Sequence, residues 1–133
     1  MVSLTIYTEP VAKARPRVAV VNGHAHGYTP AATRNAEAAI RYSITQQWTT
    51  PPFAPGVPLK LTATFYRTRP VHLPKRVTMP VTKPDADNYV KLLLDALNGY
   101  LVVDDNQITD IAVSKRFGSP PRIEMTLEEL AKE

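Results

Sequence analysis

The stretch KPDADNYVKLLLDALNGYLVVDDNQ, Lys83–Gln107, decides how this chain is read. Val90, Leu93, Leu94 and Leu97 recur at i, i+3, i+4 and i+7, which predicts a helix over Asp85–Asn98 with one apolar face. Asn98-Gly99 is its stop, because glycine tolerates the left-handed backbone that ends many helices. Asp85 occupies the N-cap, where a carboxylate also meets the positive end of the helix dipole. Asp85 and Asp87 flank one residue at the helix start, Lys91 and Asp95 follow at successive turns, and Asp104-Asp105 come after the helix.

Two readings fit these acids. In the structural one, Asp85 is only a cap, Asp87, Lys91 and Asp95 form a solvated face with ion pairs worth ~0.3–0.5 kcal/mol each, and Asp104-Asp105 is a polar turn. In the functional one, three or four carboxylates converge at one end of a sheet-and-helix unit. A hard cation such as Mg²⁺ takes oxygen ligands from one or two carboxylates, waters and phosphate oxygens. Such a site suits metal-assisted phosphodiester hydrolysis, in which the ion generates hydroxide and stabilises the leaving oxygen. Spacing alone leaves both readings open.

Charge supports a polyanionic partner. Of the 133 residues, Met1–Pro84 carries 11 basic and 2 acidic side chains, a net +9, whereas Asp85–Glu133 carries 5 basic and 10 acidic, a net −5. The 44% hydrophobic and 21% charged content is that of a folded chain, and residues 1–133 are expected to form a single domain. The sequence has no cysteine, which excludes disulfides, thiolate zinc sites and a cysteine nucleophile. Positive charges follow the first apolar stretch where a secretory signal would have them precede it, and no window approaches the ~18 apolar residues of a membrane span. A cytoplasmic protein with no membrane partner is expected.

Outward from the central stretch, Val2–Tyr7 alternates like a strand, and Asn22-Gly23 predicts a hairpin over Arg17–Tyr28. His24 and His26 share a face of its return strand; exposed histidines explain them better than a metal site. Thr29 as N-cap and Pro30 at the first position open a helix running to about Trp48, with an apolar stripe of Ala36, Ile40, Ile44 and Trp48. Leu59–Arg67 alternates as a half-buried strand. Thr68–Pro84, with four prolines, is expected to be a flexible basic arm. Gln107–Phe117 and Arg122–Leu127 read as strands joined across GSPP and paired antiparallel with each other, and the tail LEELAKE as a frayed helical turn. The fold class is α+β: a mixed sheet of about four main strands with two helices, in the order β, hairpin, α, β, α, β, β.

The motifs D-A-D-N-x-x-K at Asp85–Lys91, D-A-L-N-G at Asp95–Gly99 and D-D-N-Q at Asp104–Gln107 resemble the signature of the RusA family of Holliday junction resolvases, and PVAKARPRV at Pro10–Val18 resembles its basic segment. The resemblance spans nearly the whole chain in order and length. It implies a homodimeric, Mg²⁺-dependent endodeoxyribonuclease of bacterial or prophage origin, with Mn²⁺ as a substitute ion and no organic cofactor, that makes paired nicks across four-way DNA junctions. The family's catalytic carboxylates match Asp85, Asp87 and Asp105, and its required lysine matches Lys91; Asp104 is a further candidate metal ligand. The family's run of arginines before D-x-D is replaced here by RVTMPVTKP, Arg76–Pro84.

DNA contacts are expected from Lys13, Arg15, Arg17, Arg69, Lys75, Arg76 and Lys83, with Arg67 as a further candidate. A two-fold junction cut in two opposed strands calls for two chains, with the sheet edge or the first strands as the expected interface. Three other functions compete. They are a metal-dependent nuclease of forks, flaps or RNA, a non-catalytic junction binder with a structural cation, and a basic adaptor for acidic proteins, which leaves the acidic motifs unexplained.

Overall fold

The computed structural model describes residues 1–14, 17–28 and 30–130. Its elements are β1 (Val2–Ile6), β2 (Arg17–Val21), β3 (His24–Tyr28), α1 (Ala31–Thr45), β4 (Leu59–Arg67), α2 (Ala86–Leu97), β5 (Ile108–Phe117) and β6 (Arg122–Glu129). The expected α+β class and element order hold. β2 and β3 form a separate two-stranded ribbon, whose turn puts Asn22 and Gly23 at positive φ. Thr29, the expected cap of α1, lies outside the described residues; α1 follows Pro30, with Ala36, Ile40 and Ile44 buried.

The four main strands lie in the order β1-β6-β4-β5. β4 runs parallel to β5 and antiparallel to β6, and β6 is antiparallel to β1. The expected β5–β6 pairing is therefore corrected: the two run in opposite directions, but β4 lies between them. β4 buries Leu59, Leu61, Ala63 and Phe65 and β6 buries Ile123, Met125 and Leu127, whereas no residue of β5 is fully buried. The most apolar strand takes the centre, and β5 is left as an edge. The chain from β5 to β6 crosses the end of β4, where Gly118 passes over Tyr66; a Cβ there would come within 2.7 Å of the ring. The tail is also corrected. Leu127–Glu129 belongs to β6, where antiparallel pairing with Leu61, Lys60 and Leu59 of β4 holds them extended, and residues 131–133 lie outside the described residues.

Both helices cover one face of the sheet. α2 buries Tyr89, Val90, Leu92, Leu93, Ala96 and Leu97, and Tyr89 stacks on Phe65 with ring centroids 5.2 Å apart. The crossover from β4 through α2 to the parallel β5 sets the start of α2 at the C-terminal ends of those strands and its end at the start of β5. Among the described residues, no helix is long and apolar enough to cross a membrane.

Candidate active site

The two acidic motifs occupy opposite ends of α2. Asp85 is its N-cap and Asp87 lies in its first turn, while the 12 residues that follow Asp85, rising about 1.5 Å each, carry the chain about 18 Å to the other end. There the backbone N–H of Asp105 donates to Asn98 Oδ1 at 3.0 Å. The expected convergence of Asp85, Asp87, Asp104 and Asp105 thus does not form within one chain. Among the described residues, no three Asp, Glu or His side chains gather in a way that could hold a metal ion. The length of the intervening helix is the reason.

At the first end, Asp85 makes no side-chain capping bond, although it holds the N-cap position. Its backbone carbonyl accepts from the N–H groups of Asn88 and Tyr89 at 3.1 and 3.3 Å, and its carboxylate is exposed. Asp87 and Lys91 are exposed on the same stripe of the helix. Burial pushes the Tyr89 phenol above its ordinary range, and the nearby Arg67 guanidinium opposes that rise.

At the second end, Asp104 and Gln107 form a capping box around a short 3-10 turn. Asp104 Oδ1 accepts from the Asn106 N–H at 3.0 Å, and Gln107 Oε1 accepts from the Asp104 N–H at 3.1 Å. Gln107 Nε2 donates to the carbonyls of Ala54 and Val57 at 2.9 and 3.1 Å, so the turn is bolted to the body by a buried amide. Asp104 therefore serves the turn, and Asp105 is the acid it presents. Burial raises the Asp105 carboxyl above its ordinary value of 3.8; the adjacent Asp104 and then the charge of Asp95 add to the rise. Asn98 and Gln107 were not singled out as site residues by sequence. For Gln107 the signal was available in its spacing from Asp104, because D-x-x-Q is a capping-box pattern.

Both ends fall within one family match. The model of the family described as "Endodeoxyribonuclease RusA" matches residues 8–128, which include both acidic motifs. The chain belongs to the RusA endodeoxyribonuclease family. It is also 33% identical over 140 residues to "Uncharacterized protein YqaN" of Bacillus subtilis (strain 168), covering 98% of this chain and 97% of that protein. In this RusA-family chain the D-x-D-N motif opens α2 and the D-D-N-Q motif closes the turn before β5.

The cations divide into two groups. Lys13 is engaged within the protein: its Nζ bridges Glu37 at 3.0 Å and Asp95 at 2.9 Å, and these partners raise its pKa, Asp95 foremost. Arg69 is turned inward, donating to the carbonyls of Val77, Leu73 and Pro74 and lying over Phe117. Lys75, Arg76 and Lys83 are exposed. Arg15 lies outside the described residues, and Arg17 begins β2. The segment 68–84 is also fastened where a loose arm was expected: Thr68 donates to Glu9 through its N–H at 3.1 Å and its hydroxyl at 2.9 Å, and Arg67 and Lys115 donate to its far end.

Proposed function

We propose that this RusA-family protein is a Mg²⁺-dependent, structure-specific endodeoxyribonuclease that resolves four-way DNA junctions as a homodimer. The observation that carries the reading is the separation of Asp85 and Asp87 from Asp105 by the length of α2. A two-fold axis crossing α2 near its middle would set the N-terminal acids of one copy beside Asp105 of the other, twice. Such a pair of composite sites suits cuts in two opposed strands of a two-fold junction. The unpaired edge beside α2 suits the interface: Thr109–Ala112 of β5 are all exposed, with Ile111 at 47% and Val103 close by in sequence at 44%. An edge strand that exposes Ile111 and has no partner on its outer side among the described residues is a natural place for a second copy.

The donor set suits a hard divalent cation. Asp85, Asp87 and Asp105 offer oxygens only, the Asp85 carboxylate is free of a capping bond, and burial beside Asp104 makes ionised Asp105 want a counter-charge. Mg²⁺, or Mn²⁺ in its place, would be held by these three, and when bound supplies an activated water and neutralises charge on the leaving oxygen. Lys91, exposed one turn after Asp87, brings a cation to the phosphate undergoing attack. Lys75, Arg76 and Lys83 grip neighbouring phosphates without regard to base sequence.

Cleavage of a mobile four-way junction with both strands mapped tests this. Symmetric paired nicks are expected with Mg²⁺ and none with chelator, and Asp85→Asn should bind the junction without cutting it. Equal cutting of linear duplex and junction, or full activity in Asp85→Asn, would refute it.

A further inference from the structure

The backbone that delivers Asp85 is held by two cations from the ends of the parallel strands. Lys115, near the end of β5, donates from Nζ to the carbonyls of Thr82 at 2.8 Å and Pro84 at 3.0 Å. Arg67, the last residue of β4, donates from Nη1 to the carbonyls of Thr82 at 3.3 Å and Lys83 at 3.1 Å, and from Nη2 to the Thr82 hydroxyl at 3.3 Å. All three residues directly before Asp85 are therefore fixed through their carbonyl oxygens. Charged donors make the stronger class of hydrogen bond, and two such donors on one short segment restrict it further. The body of α2 has its own anchorage in six buried side chains, so the clamp is not what holds the helix to the sheet.

We infer that Arg67 and Lys115 are positioning residues for Asp85 and Asp87, setting where the helix start presents its carboxylates. The assignment of those acids as metal ligands is the reading it rests on. Arg67 was a candidate DNA contact by charge and Lys115 was not singled out; the geometry directs both at protein carbonyls. Metal ligands tolerate little misplacement, and loss of groups that orient them typically lowers affinity or activity roughly 10- to 100-fold.

Lys115→Met, which keeps the chain length and removes the donors, is the test variant, with Lys115→Arg as its conservative counterpart. In the metal-free full-length protein, amide hydrogen exchange at Asn88 and Tyr89, whose N–H groups bond to the Asp85 carbonyl, should speed up in Lys115→Met and return toward wild type in Lys115→Arg, with exchange in β4 and β6 unchanged. On a four-way junction, the single-turnover rate at saturating protein should fall roughly 10- to 100-fold and the Mg²⁺ needed for half-maximal rate should rise, while affinity measured in Ca²⁺ stays within about two-fold. Unchanged exchange at Asn88 and Tyr89 would overturn the inference, as would a loss confined to junction affinity with the cleavage rate intact, which would make Lys115 a phosphate contact. If the wild-type protein cut no junction, the functional reading would fall, and the exchange measurement would still decide whether the clamp exists.

Discussion

Asn98 and Asp105 are joined by one hydrogen bond, in which the backbone N–H of Asp105 donates to the side-chain oxygen of the residue that ends α2. The chain between them turns back through Gly99 at φ 79°, whose N–H donates to the Val102 carbonyl at 2.8 Å. A loop of six residues is thereby closed on the helix, and the acid at its end is set relative to α2 instead of drifting with the loop.

Replacing that acceptor isolates its role. Asn98→Ala should destabilise the protein by only about 1 kcal/mol, the ordinary net worth of an accessible hydrogen bond. Nicking of a four-way junction should fall further, roughly ten-fold, because Asp105 loses its register. Thermal unfolding and single-turnover cleavage measured side by side check this; equal, small losses in both would mean that Asn98 merely ends the helix.

Asp105 also imposes a pH dependence on the metal-free protein. Its folded carboxyl holds a proton to higher pH than the unfolded chain does, since burial and then Asp104 raise it above 3.8. Its contribution therefore favours the folded state below that ordinary value and is lost as pH rises through the raised folded value. Asp105→Asn should remove this loss. The variant is expected to unfold at a higher temperature than wild type near neutral pH in chelator, with the advantage shrinking as pH falls to 3.8 and below. A variant less stable than wild type at neutral pH would contradict the assigned cause.

The two classes of cation should separate in a salt titration. Replacing Lys75, Arg76 and Lys83 together by Ala should lower the slope of log affinity against log salt by roughly 2.7, at about 0.9 for each phosphate left unneutralised. Lys13→Met should leave the slope alone and cost about 0.5–1 kcal/mol of stability, because Lys13 joins Glu37 and Asp95 in a partly exposed ion-pair set. Its raised pKa makes that contribution fully present below 10.5 and lost only as pH climbs through the folded value. A reduced slope in Lys13→Met would return it to the DNA surface.

Periodicity carried the elements further than it carried their arrangement. Val90, Leu93 and Leu97 are buried as their spacing requires, and Asn22-Gly23 makes its hairpin, because both signals are local. The partner of β5 is a non-local matter. The four residues between Phe117 and Arg122 are short enough for a hairpin, and only competition for the apolar centre, together with a glycine small enough to cross Tyr66, sets β4 between the two strands. The site shows the same division. The acids were legible as residue types and the helix between them by its periodicity, but the motifs read as one cluster although 12 helical residues hold its halves apart. The intramolecular partners of Lys13 and Arg69 were hidden for a related reason, since charge in a sequence does not say whether a carboxylate or carbonyl lies within reach.

The separation of the two motifs makes a prediction that no single-chain site shares. Asp85→Asn and Asp105→Asn proteins should each be inactive alone. If the site combines Asp85 and Asp87 of one copy with Asp105 of the other, a mixed dimer of the two variants contains one site with both acids intact and one lacking both. Mixing and exchanging subunits should then restore metal-dependent cutting, as single nicks and not paired ones, in proportion to the mixed dimer formed. If each site were built within one chain, every site in the mixture would carry one defect and activity would stay at the level of the separate variants. Strand-resolved cleavage of the exchanged mixture, with dimer composition read by native mass spectrometry, distinguishes the two. Silence from a mixture shown to contain mixed dimers would rule out the composite site.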